Sequence, residues 1–163
     1  MNIEIRKAEI ADLACIQSLA HEIWPLVYCD MISTDQIEYM LRWMYTLEKL
    51  KQDVLNGVIF LLVSENGKDC GFLAFEMKAH ETFLHKLYLH PELHGKGIGK
   101  QMIRQVELTA MDNNSDCIRL TVNRNNPNVA FYLKQGFVVE EEKDFDIGGG
   151  YWMNDFIMKK NLK

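Results

Sequence analysis

Proline is scarce in this chain, with 3 residues in 163, and the 10 glycines form no repeat, which excludes collagen-like and Pro/Gly-rich disordered architectures. No apolar run is long. Val58-Ile59-Phe60-Leu61-Leu62-Val63 is far below the roughly 20 residues a membrane-spanning helix needs, and no basic segment followed by an apolar one opens the chain. No long run of lysine and arginine occurs, and a formal net charge of −5 lacks the electrostatic footprint for nucleic acid or anionic membranes. The expectation is a cytoplasmic protein with neither as a partner, mildly favouring cationic or neutral substrates. Cys15, Cys29, Cys70 and Cys117 are too scattered for a disulfide framework or a zinc site, and no HExxH occurs, so no metal is expected.

What is present is ordinary globular composition, 48% hydrophobic and 25% charged, in a length that suits one domain over residues 1–163. Ile3 and Ile5 alternate as a first strand. Leu13, Ile16, Leu19, Ala20 and Ile23 then repeat with helical spacing, and Pro25 is expected to end that helix. Ser33 and Gln36 form a capping box opening a second helix that carries its apolar stripe from Ile37 to Leu50. Strands from Val58 to Glu65 and from Cys70 to Met77 flank an Asn66-Gly67 turn, and Phe83 to Leu89 continues the meander. A helix with Ile98, Met102, Val106 and Ala110 on one face follows, then a strand through Ile118, Leu120 and Val122. Asn126 and Pro127 open a short helix that Gly136 stops, and strands Phe137–Glu142 and Tyr151–Lys159 flank a Gly148-Gly149-Gly150 hairpin turn.

The segment His94-Gly95-Lys96-Gly97-Ile98-Gly99-Lys100 joins a strand to a helix. Glycines there let backbone N–H groups approach an anion, and the helix N-terminus favours negative charge; they also serve tight strand–helix packing. Two phosphate motifs fail. A P-loop needs Gly where His94 stands and Ser or Thr where Gln101 stands, and the dinucleotide GxGxxG frames from Gly95 and Gly97 end on Lys100 and Met102.

The turn instead resembles the acetyl-CoA motif of the GNAT superfamily of acetyltransferases, with His94 where that family usually has Arg or Gln. Lys86-Leu87-Tyr88-Leu89-His90-Pro91 is similar to its fourth strand, and Asn125 with Ala130-Phe131-Tyr132 and Gly136-Phe137 to its second motif, although Asn128 replaces a frequent small residue. The order of elements over nearly the whole chain resembles the same fold. The resemblance implies an α/β (α+β) domain with a mixed, mostly antiparallel seven-stranded sheet, about four helices and splayed fourth and fifth strands.

It further implies acetyl-CoA as cosubstrate, its pyrophosphate on His94, Gly95, Lys96, Gly97, Ile98, Gly99 and Lys100, and its pantetheine arm along Leu87, Tyr88 and Leu89, with Asn125 and Tyr132 beside it. Tyr132 is then the general acid, since a phenol of reference pKa about 10 holds its proton at neutral pH; apart from the resemblance, it reads as packing with Val129 and Leu133. His85, two residues before Leu87 on the same strand face, is the candidate base, with a structural histidine as the alternative. Acceptor contacts are expected from Trp24-Pro25-Leu26-Val27-Tyr28, Trp43-Met44-Tyr45 and Asp144-Phe145-Asp146. The C-terminal pattern from Asp144 through Tyr151-Trp152-Met153-Asn154-Asp155 to Lys159-Lys160 loosely resembles bacterial polyamine acetyltransferases. A small-molecule amine, such as a polyamine, is the leading acceptor expectation. A protein N-terminus or lysine and a non-catalytic acyl-CoA-binding regulator are the alternatives, and a homodimer is the family-based expectation for assembly.

Overall fold

The computed structural model describes residues 1–163. The chain divides into two compact units, Met1–Glu76 with Lys86–Met102, and Met77–His85 with Ile103–Lys163. Seven strands form a sheet of order β1-β2-β3-β4-β5-β7-β6, made of β1 (Ile3–Lys7), β2 (Ile59–Glu65), β3 (Lys68–Met77), β4 (Glu81–Leu89), β5 (Cys117–Asn123), β6 (Val138–Gly148) and β7 (Tyr151–Asn161). The β4–β5 pair is parallel, whereas β1–β2, β2–β3, β5–β7 and β6–β7 are antiparallel, which is the mixed sheet expected.

In the first unit, β2 and β3 meet through Asn66 and Gly67 with φ of 50° and 83°, the positive pair that a tight hairpin turn requires. Helix α1 (Leu13–Tyr28) buries Leu13, Ile16, Leu19, Ala20, Ile23 and Trp24 along its apolar stripe. Pro25 does not end it. The proline lies inside the helix on an exposed position, and the carbonyl whose bond it forfeits belongs to exposed His21, where water can replace it. The second helix divides in two: α2 (Thr34–Met44) starts at Ser33, whose Oγ accepts from the Gln36 N–H at 3.1 Å, and α3 (Leu47–Leu55) starts at Thr46, whose Oγ1 accepts from the Lys49 N–H at 3.1 Å. Between them Tyr45 leaves helical geometry at φ −124° and is fully buried, its hydroxyl accepting from the Trp24 indole N–H at 3.3 Å. There are therefore five α-helices rather than about four, with two single 3-10 turns.

In the second unit, β4 and β5 align Leu84 with Leu120, and the buried Thr82 and Ser115 hydroxyls bond at 2.8 Å. Helix α4 (Ile98–Asp112) buries Ile103, Val106 and Ala110 in this unit, and its Glu107 pairs with Lys160 of β7. Helix α5 (Asn128–Lys134) is preceded by Asn126, whose side-chain oxygen accepts from the Asn128 N–H at 2.8 Å. Strand β6 runs past the expected Glu142 to Gly148, so Asp144, Phe145 and Asp146 are strand rather than loop residues, paired with Asn154, Met153 and Trp152. Arg124 stabilises that extension by pairing with Glu142 at 3.3 Å and with Asp144.

Candidate active site

The end of β4 and the turn after it lie in the first unit. Past Leu89 the chain makes one 3-10 turn over Pro91–Leu93 and reaches His94 in extended geometry. His94 Nε2 stands 2.9 Å from the Leu89 carbonyl oxygen. A carbonyl only accepts, so Nε2 carries the hydrogen, and the ring braces the turn against the strand; Nδ1 donates to an anion only when the ring is protonated. Gly95 and Gly97 follow at φ of 79° and 81°, values that side chains rarely adopt, and a Cβ built on either meets nothing within 4 Å.

Ile98 is fully buried and anchors the first residue of α4. The first backbone bond of that helix runs from the Gln101 N–H to the Gly97 carbonyl at 3.3 Å. The amides before it form the open N-terminus of a 15-residue helix, with exposed Lys96 and Lys100 beside them. Open space at both glycines, helix-terminal amides and two lysines fit a pyrophosphate.

Leu87 and Tyr88 are half-buried, and Leu89 is buried. A Cβ on Gly71 of β3 would lie 2.6 Å from the Tyr88 carbonyl oxygen, so the close approach of this backbone requires glycine. The Tyr88 ring sits 5.5 Å from both Trp24 and Phe72, and its hydroxyl bonds the Tyr28 hydroxyl at 2.9 Å. Trp24 and Tyr45 are thus core residues, while Leu26 and Trp43 of the expected acceptor segments are exposed. Lys86, which the sequence singles out only as part of the fourth-strand resemblance, is 8% exposed with Nζ 5.4 Å from the Tyr45 ring centre, and burial lowers its pKa. Its alternation with buried Leu84 was the available signal.

The second unit holds the candidate acid and base. His85 is exposed on β4, its ring 4.7 Å from that of Phe83. Tyr132 is buried in α5, with Phe131 and Phe137 at 5.3 and 5.7 Å in edge-on geometry. Those rings are its packing partners, whereas Leu133 is half exposed. Asn125 exposes its side chain, and its N–H donates to the Asn123 side-chain oxygen at 2.8 Å.

Asp155 of β7 was quoted from the sequence only as part of a C-terminal pattern. It is 2% exposed, and its Oδ2 has no hydrogen-bond partner. Desolvation pushes its pKa up to about 6, with Arg124 opposing and Asp144 adding to the rise. The signal was its alternation with Met153 and Ile157, which puts a carboxylate in an otherwise apolar row.

Residues 56–139 match the family model described as an acetyltransferase (GNAT) domain. The chain is 34% identical over 169 aligned residues to a spermidine N(1)-acetyltransferase of Thermoplasma acidophilum, covering 100% of this chain and 99% of that enzyme. The crystal structure of PaiA N-acetyltransferase from the same organism in complex with coenzyme A superposes with a TM-score of 0.85 at 33% identity, over 99% of each chain. A GCN5-related N-acetyltransferase structure from Rhodopseudomonas palustris shares the fold, with a TM-score of 0.84 at 21% identity over 99% of this chain and 96% of that one. With these likenesses spanning its length, the chain belongs to the GNAT superfamily and is an acetyl-CoA-dependent N-acetyltransferase.

Proposed function

We propose that this enzyme acetylates a primary amine of a small polyamine-like molecule. The observation that carries the reading is the full-length, 34% identity to a spermidine N(1)-acetyltransferase. The net charge of −5 supports a cationic acceptor, which an acidic protein attracts. Bound acetyl-CoA supplies the activated acyl carbon as a thioester.

The protein's own groups do the rest. Amides from Gly95 to Lys100 hold the pyrophosphate, with Lys96 and Lys100 adding charge and His94 keeping the turn in place. Backbone groups of Leu87, Tyr88 and Leu89 pair with the pantetheine arm, which Asn125 steadies. An amine of pKa about 10.4 is mostly protonated at neutral pH, so His85 takes a proton from the ammonium before the nitrogen attacks. As the new C–N bond forms and the C–S bond breaks, Tyr132 gives its phenolic proton to the departing thiolate, and the second proton shed by the acylated nitrogen passes through solvent to restore the phenol. Residues 1–163 act as one catalytic domain, in the cytoplasm and as a homodimer.

A thiol-release assay across spermidine, spermine, amino acids and N-terminal peptides tests this reading. Saturable turnover with polyamines supports it. Turnover confined to peptides assigns a protein acceptor instead, and tight acetyl-CoA binding without turnover assigns a regulator.

A further inference from the structure

The second unit carries a groove of about 510 Å³ whose lining mixes the apolar surfaces of Phe83, Thr121, Phe145 and Ile157 with charged groups, among them Lys143 and Arg119, the latter paired with Glu81 and with Glu140 at 2.8 Å. The strand registers set Asn123, Asp155 and Lys143 opposite one another on β5, β7 and β6, and Thr121, Ile157 and Glu141 form the next row. Opposed residues of an antiparallel ladder share a face, and alternate residues return to it. Asp155 therefore stands on the face that carries the groove, one row from Ile157. At another point of the lining, Phe83 packs against the ring of His85 at 4.7 Å.

Asp155 is an anomaly for a structural residue. A buried carboxylate is ordinarily matched by a cation or by several hydrogen bonds, because desolvating the charge is otherwise uncompensated. Here Oδ2 has no partner. The nearby cations make their direct contacts elsewhere, and Arg124 acts on Asp155 only through its field: Arg124 pairs with Glu142 and Asp144, and Lys143 lies over the Phe145 ring at 5.3 Å. The protein thus leaves Oδ2 without a hydrogen bond on the face of the sheet that carries the groove, one row beyond its lining residue Ile157. A ligand that completes the arrangement has a methylene chain for the walls and an ammonium for Asp155.

We propose that Asp155 is a specificity-determining residue that binds the second, non-reacting ammonium of an acceptor diamine or polyamine whose methylene chain lies in this groove. The inference rests on the small-amine reading above and adds how a polyamine is told from a simple amine.

The test compares spermidine with n-butylamine, which has one amine and no distal charge, in the wild type and in Asp155→Asn. The isosteric variant is expected to lose at least about tenfold in kcat/KM for spermidine, roughly one charge-assisted contact, with n-butylamine kinetics and acetyl-CoA affinity unchanged. An equal loss on both amines makes Asp155 a general structural or proton-transfer residue and overturns the proposal, as does no loss on either. A wild type that acetylates neither amine overturns the polyamine reading and this inference with it. Should the variant fail to fold, the wild type alone decides. The charged groups around Asp155 are Lys143 and Glu141 from β6, with Arg124 and Asp144 next to them. As pH falls through about 6, the spermidine KM is expected to rise relative to that of n-butylamine, because protonation of Asp155 removes only the distal contact. Any change in the shared chemical step acts on both amines alike, so a constant KM ratio overturns the proposal.

Discussion

His94 Nε2 donates to the Leu89 carbonyl at 2.9 Å and thereby fastens the first residue of the glycine turn to the last residue of β4. The ring takes up the position usual for Arg or Gln in the family motif, and it works through the backbone. His94→Ala is expected to weaken acetyl-CoA binding about fivefold, the worth of one neutral hydrogen bond, with kcat nearly unchanged. His94→Gln, which keeps an N–H donor, is expected to recover most of the affinity. Calorimetry on both variants checks this, and equal affinities in all three proteins refute the brace.

Gly97 sits at φ 81° with open space where a Cβ would project. Gly97→Ala is expected to cost about 1–2 kcal/mol of stability from backbone strain alone. Its methyl group also enters the space assigned to the pyrophosphate, so acetyl-CoA affinity is expected to fall at least about tenfold, some 1.4 kcal/mol. Gly71→Ala is the contrasting case, since its Cβ would lie 2.6 Å from the Tyr88 carbonyl oxygen. There the strands must move apart, and thermal melts are expected to register a loss of about 1–3 kcal/mol, as in overpacked cores.

Tyr132→Phe retains the ring between Phe131 and Phe137 and removes only the hydroxyl. Turnover is expected to fall about 100-fold, the usual worth of a general acid, with acetyl-CoA affinity within about twofold of wild type. Steady-state kinetics under conditions where chemistry limits the rate decide this. Wild-type turnover in the variant removes Tyr132 from the mechanism.

Asp155 also makes a stability prediction. Its folded pKa of about 6 exceeds the ordinary 3.8, so the folded state binds the proton more tightly than the unfolded state does. Stability at this site is greatest below the unfolded pKa and declines as pH rises from about 4 to 6, by up to about 3 kcal/mol before relaxation. Asp155→Asn is expected to erase that pH dependence and raise the melting temperature at pH 7.5. A lower melting temperature there means that Asp155 has a stabilising role, contrary to the account.

The parts of this molecule that were legible in the sequence are those where local geometry admits few residues. Asn66-Gly67 and the glycines at 95 and 97 stand where φ is positive, and Ser33 with Gln36 marks a real helix start. The break at Tyr45 was hidden because the apolar spacing from Ile37 to Leu50 runs through it; what ends α2 is burial of Tyr45 against Trp24, a contact 21 residues distant. Pro25 misled because its cost depends on whether the orphaned carbonyl meets solvent. The predicament of Asp155 arises only when β5, β7 and β6 align, and no short stretch of sequence encodes that row.

Acetylation of a polyamine is decided by spermidine-dependent release of CoA thiol from acetyl-CoA. Saturable release that requires both substrates and yields N-acetylspermidine by mass spectrometry is the expected result. Tight acetyl-CoA binding with no spermidine-dependent release and no acetylated product would contradict it.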